Sequence, residues 1–303
     1  MLITCIIHSI RAFDGLLQLL KLNLSSNSLY YIPNEAFIGL VSLRSLDLSH
    51  NYLEKLDNKT NGLLDDCLSL EKIDLSYNKI SFITRKTFSS SPWIPYRLRE
   101  IDLSFNTMPV LTYDLTFGTK TVKKLNLSNN NLNDIRKYII GNLTNLEVLD
   151  LSHNHLSDLK QDNFTFILPK NITAILLNNN ELINIPVREI VKVDNLTVFN
   201  LNDNMLSQLE RPLIDKIKKG VSVYFKNNPL KCDCSIRPLT HYLKSLTTPP
   251  DYYANLKCEA PQFLTGQILN EIPDDRLTCV SGSANVTGVD YDVQPDLRFR
   301  EIS

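Results

Sequence analysis

Apolar and polar positions along this chain follow a phrase that keeps returning. Residues 146–156, "LEVLDLSHNHL", read Leu-x-x-Leu-x-Leu-x-x-Asn-x-Leu, and the same frame appears as "LLKLNLSSNSL" (19–29), "LRSLDLSHNYL" (43–53), "LEKIDLSYNKI" (70–80), "LREIDLSFNTM" (98–108) and "VKKLNLSNNNL" (122–132). It continues as "ITAILLNNNEL" (172–182), "LTVFNLNDNML" (196–206) and a degenerate "GVSVYFKNNPL" (220–230). The framing residues Asn27, Asn51, Asn78, Asn106, Asn130, Asn154, Asn180, Asn204 and Asn228 are 24 to 28 residues apart. Apolar residues at alternate positions predict a short strand with one buried side. A unit of this length cannot close a core alone, so each copy predicts one strand and one return segment, stacked on its neighbours around a continuous apolar ribbon. The Asn falls at the turn leaving the strand, where backbone groups point away from water. Its amide, with two donors and an acceptor, suits it to bracket adjacent coils rather than to meet a ligand.

A frame of this spelling and period resembles the leucine-rich repeat. The resemblance implies an α/β-type leucine-rich repeat solenoid, a curved horseshoe with short parallel strands on its concave face. On this reading residues 1–18 are a partial repeat with an uncapped start, and residues 19–230 are a solenoid of about nine repeats. "RAFDGLLQLL" (11–20) parallels "NEAFIGLVSL" (34–43), so the chain is expected to begin inside a repeat, with further repeats, a cap and a leader upstream in the natural protein.

The register also says where binding side chains would stand. Between the inward leucines, a central column reads Asn23, Asp47, Asp74, Asp102, Asn126, Asp150, Leu176, Asn200 and Tyr224. Just after the strand another reads Ser26, His50, Tyr77, Phe105, Asn129, His153, Asn179, Asp203 and Asn227, and on the near side Lys21, Ser45, Lys72, Glu100, Lys124, Val148, Ala174, Val198 and Ser222. Asp47, Asp74 and Asp102, bordered by His50, Tyr77 and Phe105, form an acidic and aromatic strip on the concave face, repeated in part by Asp150 and His153. Such a strip would steer a basic protein partner. The competing reading is that Asp-Leu-Ser is a spelling of the repeat in which Asp and Ser serve the strand's own hydrogen bonds, yet Tyr77 and Phe105 have no scaffold duty. Val148, Ala174, Leu176 and Val198 make the face more apolar toward the C-terminal end, a second contact patch or self-association surface. The longer spacings place extra residues in "NKTNGLLDDC" (58–67) and "SSSPWIPYRL" (89–98), the latter carrying Trp93 as an insertion contact or as packing over the longer coil.

Cysteine placement adds the compartment. Of six cysteines, Cys232 and Cys234 follow the last repeat, with Cys258 and Cys279 beyond. Cys-x-Cys with two isolated partners is not the pair geometry of common zinc modules, so two disulfides fit better, in any of three connectivities. Residues 228–279, "NPLKCDC…PLTHYL…C…P…L.G..L…C", resemble the C-terminal cysteine-rich flank of extracellular leucine-rich repeat proteins, the company of Toll-type receptors, Slit-like guidance proteins and chaoptin-like adhesion molecules. That resemblance implies a cap over 228–280 with bridges Cys232–Cys258 and Cys234–Cys279. Tyr242 stands where the family's cap helix often has Trp. Residues 281–303 read as a linker or the start of a further module, and Cys5 and Cys67 are left without an assigned pairing. A disulfide-closed cap implies an oxidising compartment. Sequons at Asn58, Asn142, Asn163, Asn171, Asn195 and Asn285 agree with it as glycosylation sites; Asn23 and Asn126 also head sequons, but in the middle of the concave face.

The remaining composition mostly excludes. A net charge of −1 gives no footprint for nucleic acid, and nine glycines are too few for phosphate-cradling loops. His50 and His153 share a repeat position four coils apart, too far to share a metal or a proton. No enzyme, metal or small-molecule cofactor is expected. No apolar run reaches the ~20 residues of a membrane span, although the parent protein could be membrane-anchored. The resemblance implies an extracellular or cell-surface protein-recognition module, a receptor or adhesion ectodomain. A structural extracellular-matrix component and a cytosolic repeat scaffold are the alternatives.

Overall fold

A computed structural model describes residues 11–33, 35–56, 63–88, 97–136, 138–159 and 167–279. In chain order its strands are β1 (Lys21–Asn23), β2 (Ser45–Asp47), β3 (Lys72–Asp74), β4 (Glu100–Asp102), β5 (Val110–Leu111), β6 (Lys124–Asn126), β7 (Asp134–Ile135), β8 (Val148–Asp150), β9 (Ala174–Leu176), β10 (Val198–Asn200) and β11 (Ser222–Tyr224). Nine of them, all but β5 and β7, form one parallel sheet in sequence order; β5 and β7 pair separately on the return side. The register carries each repeat position onto the same position of the next coil: Leu46 stands opposite Ile73, and Asp47 opposite Asp74.

Each three-residue strand has one inward apolar side chain between two that face outward, polar in the first coils and partly apolar from β8 onward. Leu46, Ile73, Ile101, Leu125, Leu149, Ile175, Phe199 and Val223 are all buried, as strand alternation requires. With the leucines of the return segments they make one core running the length of the molecule. Return segments are short turns or helices: α1 (Ile139–Asn142), α2 (Val187–Ile190) and the longer α3 (Arg211–Lys218), which buries Leu213, Ile214 and Ile217. Gly15 and Gly39, the matching glycines of the first two coils, sit at φ +82° and +81°, where the return turn needs a residue without a Cβ.

The recurring Asn is the bracket its chemistry suggested. Asn154 donates from Nδ2 to the carbonyls of Leu127 at 3.0 Å, Leu151 at 3.1 Å and Ser152 at 3.1 Å, and its Oδ1 accepts the N–H of Leu132 at 3.0 Å. Asn51, Asn78, Asn106, Asn130, Asn180 and Asn204 repeat the arrangement, each clasping the preceding coil.

Beyond β11 the chain closes the stack. Cys232 is joined to Cys258 and Cys234 to Cys279, with Cα separations of 5.6 and 4.9 Å, inside the usual disulfide range. Helix α4 (Arg237–Ser245) buries Leu239, Thr240 and Leu243, with Tyr242 packed half-buried against the core. Cys67 is a free thiol, wholly buried among return-segment leucines. Burial pushes it up to about 12, with Asp66 adding to the shift, so it packs as a small apolar group.

Candidate functional site

The sheet face shows what each column does. In the central column one carboxylate oxygen belongs to the scaffold: Oδ1 of Asp47 accepts the N–H of Ser49 at 3.0 Å and its hydroxyl at 2.7 Å. Asp74 with Ser76, Asp102 with Ser104 and Asp150 with Ser152 repeat the pair at 2.6–2.9 Å. Asn23 does the same for Ser25. The second oxygen of Asp102 takes Nδ2 of Asn126 at 3.0 Å. Among the described residues no cation lies within ion-pair distance of Asp47, Asp74, Asp102 or Asp150. The scaffold reading of the Asp-Leu-Ser spelling is thus seen directly: one oxygen of each carboxylate builds the turn, and in Asp102 the other is taken by Asn126.

The near-side column is internally paired. Glu100 lies between Lys72, at 2.6 Å, and Lys124, at 3.3 Å. Hydrogen bonds from Lys72 hold its carboxyl below the usual range, against the opposing pull of burial and with Lys124 helping. An open cavity of about 470 Å³ lies between the two columns, lined by Asp47, Lys72, Asp74, Glu100, Asp102 and Lys124 among others. Val148, Ala174, Leu176 and Val198, further along the face, are half-buried.

The third column is not on the sheet face itself. Ser26, His50, Tyr77, Phe105, Asn129, His153, Asn179, Asp203 and Asn227 all have φ between 53° and 57°, the left-handed region, and form the outgoing rim where the chain leaves the strand. Their backbone N–H groups continue the coil-to-coil ladder, His50 to Ser76 and Tyr77 to Ser104, each at 3.0 Å. Asn and Asp tolerate this conformation, whereas bulky residues rarely adopt it. The Asn and Asp members of the column were the sequence signal for it.

Three consecutive coils put rings at this strained position. His50 stacks on Tyr77 with centroids 4.2 Å apart and planes 11° from parallel, and Tyr77 stacks on Phe105 at 4.1 Å and 9°. Tyr77 and Phe105 remain 43% and 40% exposed. On the same side of the first two coils, Tyr30 stacks on Tyr52 at 5.0 Å, with the ammonium of Lys79 over the Tyr52 ring. Equivalent places in later coils hold Asn129, His153, Asn179, Asp203 and Asn227.

His153 and Asp150 occupy the expected places two coils beyond Phe105, but no aromatic neighbour stacks on His153 among the described residues. Asn142, Asn171 and Asn195 precede their strands and so lie away from the outgoing rim. Asn171 and Asn195 are exposed at the incoming rim, while Asn142 ends α1 with Nδ2 donating to the Tyr138 carbonyl at 2.8 Å. Asn126 is committed at both ends, to Asp102 and to the N–H of Ser128. Trp93, Asn58, Asn163, Asn285 and Cys5 lie outside the described residues.

Comparisons with known proteins place the chain. Models of the leucine-rich repeat match residues 9–53 and 120–167, and a second such model matches residues 69–91. Osteomodulin of Rattus norvegicus is 28% identical over 204 residues, 64% of this chain and 47% of its own length. Trophoblast glycoprotein of Macaca fascicularis is 26% identical over 277 residues, 86% of this chain and 60% of its own length. This chain thus spans about half the length of the curated relatives it matches. In the solved octameric complex of Latrophilin 3, Unc5D and FLRT2, whose leucine-rich repeat component is FLRT2, one chain superposes with a TM-score of 0.70 at 24% identity, covering 87% of this chain and 77% of that one. At that identity the likeness is one of fold.

Proposed function

We propose that this chain, a leucine-rich repeat protein with a disulfide-closed C-terminal cap, is an extracellular protein-recognition module of the receptor or adhesion kind. Its ligand would be held on the outgoing rim and adjoining sheet face of the coils around β2 to β4. The compartment is supported by the two cap disulfides and by relatives that include a trophoblast glycoprotein. Protein binding is supported by the solved complex of Latrophilin 3, Unc5D and FLRT2, whose leucine-rich repeat component shares the fold.

One observation carries the choice of surface. His50, Tyr77 and Phe105 occupy a left-handed backbone position that costs a bulky residue about 1 kcal/mol, and they leave ring surface in water. Stability gives no reason for them where Asn serves the later coils. Binding does, because aromatic side chains dominate interface anchors. Asp47, Asp74 and Asp102 belong to the same site, and Asp150 with His153 extends it. Asn142, Asn171 and Asn195 are assigned as glycan carriers away from that rim. With both ends of its amide engaged, Asn126 is assigned as bare, leaving the concave face open.

A glycan wedge tests this. Tyr77→Asn with Lys79→Thr creates a sequon on the outgoing rim using residues the repeat already accepts there, Asn at 129 and Thr at 107. The secreted variant is expected to lose binding to cells that capture the wild-type chain, while loss of the native Asn195 glycan through Thr197→Ala leaves capture intact. Undiminished capture by a protein shown by mass mapping to be glycosylated at position 77 would remove the rim from the site.

A further inference from the structure

Resting on the rim just proposed as the recognition surface, we infer the chemistry of what it takes: an arginine-bearing basic segment of a partner protein. The ring stack supplies the surface. Its rings lie 4.1 and 4.2 Å apart and cover each other's faces, so a partner meets their edges and the outer faces at the two ends of the stack. One end lies beside Ser26 and the other beside Asn129, the small polar residues that follow in the column. A planar group set there continues the stack, and guanidinium is the planar group among cationic side chains.

The neighbouring charges decide the sign of the occupant. Beside the rings, Asp47 and Asp74 each spend one oxygen on the turn and turn the other toward solvent with no partner among the described residues. The rim column carries no lysine or arginine from Ser26 to Asn227. Across the sheet, Lys72 and Lys124 are both held by Glu100, which keeps their charge on the far side of the cavity. Four central aspartates therefore stand against the near-side Lys21, Lys72 and Lys124, which Glu100 reduces to two net positive charges, in a chain whose total is only −1. The negative field is a property of this strip rather than of the whole molecule, and it repels polyanions while drawing a basic segment onto the rings. Arginine is favoured over lysine because its plane can lie on a ring while an N–H group donates to the remaining aspartate oxygen.

The repeat supplies variants that keep the fold. The Asn-Leu-Asn of residues 200–202, the rim Asn129 and the Asn131 two places beyond it supply replacements that create no N-x-S/T sequon: Asp47→Asn with Ser49→Asn and Asp74→Asn with Ser76→Asn as the double aspartate variant, and Tyr77→Asn with Phe105→Asn and Thr107→Asn as the double aromatic one. The test is fluorescence anisotropy of the secreted chain with short labelled Arg-Ser repeat peptides and their Lys-Ser and Glu-Ser counterparts, near 0.15 M salt, where the screening length is about 8 Å. The Arg peptide should bind best and the Glu peptide not at all. The double aspartate variant should weaken the Arg peptide about tenfold or more, a change of about 1.4 kcal/mol. The double aromatic variant should erase the preference for Arg over Lys, and Lys218→Gln, on the return helix α3, should leave affinity within about twofold. Failure of the Arg peptide to bind, equal binding of the Glu peptide, or indifference to the aspartate change overturns the inference. A wedge at position 77 that blocks cell capture while Arg peptides are ignored keeps the recognition surface and rejects its basic ligand; a wedge without effect rejects the surface itself.

Discussion

The coils around β2 to β4 and those around β9 to β11 share one backbone and differ in nearly everything the backbone does not use. Both halves carry the buried strand residue and the amide bracket: Asn51 and Asn204 each clasp the coil before them through the same bonds. Both put the residue before that Asn at φ near +55°. Yet the first half places His50, Tyr77 and Phe105 there beside three aspartates, and the second places Asn179, Asp203 and Asn227 there beside Leu176, Asn200 and Tyr224. The rims around them follow suit. At the C-terminal end the rim borders a polar cavity of about 960 Å³ against the cap, lined by Asp203, Lys226, Lys257 and Glu259 together with exposed Met205. The difference separates what the fold requires from what it permits, and the permitted positions are where a binding role has room to be written.

If the shared part is pure scaffold, damaging it should cost the same in either half. Asn51→Ala and Asn204→Ala each strand buried carbonyls and an N–H of neighbouring coils, at about 1–3 kcal/mol per group. Each is expected to destabilise by about 3 kcal/mol in denaturant unfolding, with the two values within about 1 kcal/mol of each other. A large gap between them would mean that the brackets are not equivalent and would break the comparison at its base.

Swapping the permitted residues should then be asymmetric. Asp203→Tyr forces a bulky residue into the left-handed region between Asn179 and Asn227, with no ring in the column to stack on, and should cost about 1–2 kcal/mol. Phe105→Asn, made with Thr107→Asn so that no sequon arises, removes that strain and one stacked pair, the latter worth about 0.5–1.5 kcal/mol, so the two nearly cancel and the melting temperature should hardly move. A large loss of stability in Phe105→Asn would show that the rings serve the fold, and the case for a binding rim would weaken accordingly.

Much of this was legible in the chain because a fixed period turns sequence distance into spatial address. The nine Asn positions gave the coils, the alternation gave the strand, and the columns placed Asp47 beside Asp74 before any coordinates did. The outgoing column was harder. The pattern of letters puts it on the concave face, whereas its left-handed backbone is a property of the structure, signalled in the sequence by Asn129, Asn179, Asp203 and Asn227 sharing a position that Gly, Asn and Asp favour. Ring stacking depends on side-chain rotamers and coil pitch, which a pattern of apolar and polar letters does not encode. The Asp and Ser pairing was legible as a spelling but not as a division of labour between two oxygens of one carboxylate. In the cap, spacing left three cysteine pairings open and only resemblance chose among them.

The smallest expected effect concerns the charges that distinguish the two sheet faces. Glu100 bridges Lys72 and Lys124 in the first half, whereas the same column in the second half holds Ala174, Val198 and Ser222 and has nothing to titrate. Hydrogen bonds from Lys72, then from Lys124, outweigh burial and set the folded carboxyl of Glu100 below its unfolded value of about 4.3. A depressed folded value means that the stabilisation is complete above the unfolded value and disappears as pH falls through the folded one. Because all three side chains are partly solvated, the contribution should be about half a kcal/mol or less. Glu100→Gln should therefore lower stability slightly at pH 7 and not at all near pH 2–3, as read from paired denaturation curves at the two pH values. A gap that persists in acid would assign the loss to packing rather than to charge. The lysines would then be free to contribute their full positive field beside the aspartates, removing the imbalance that makes the first half, and not the second, attractive to a basic segment.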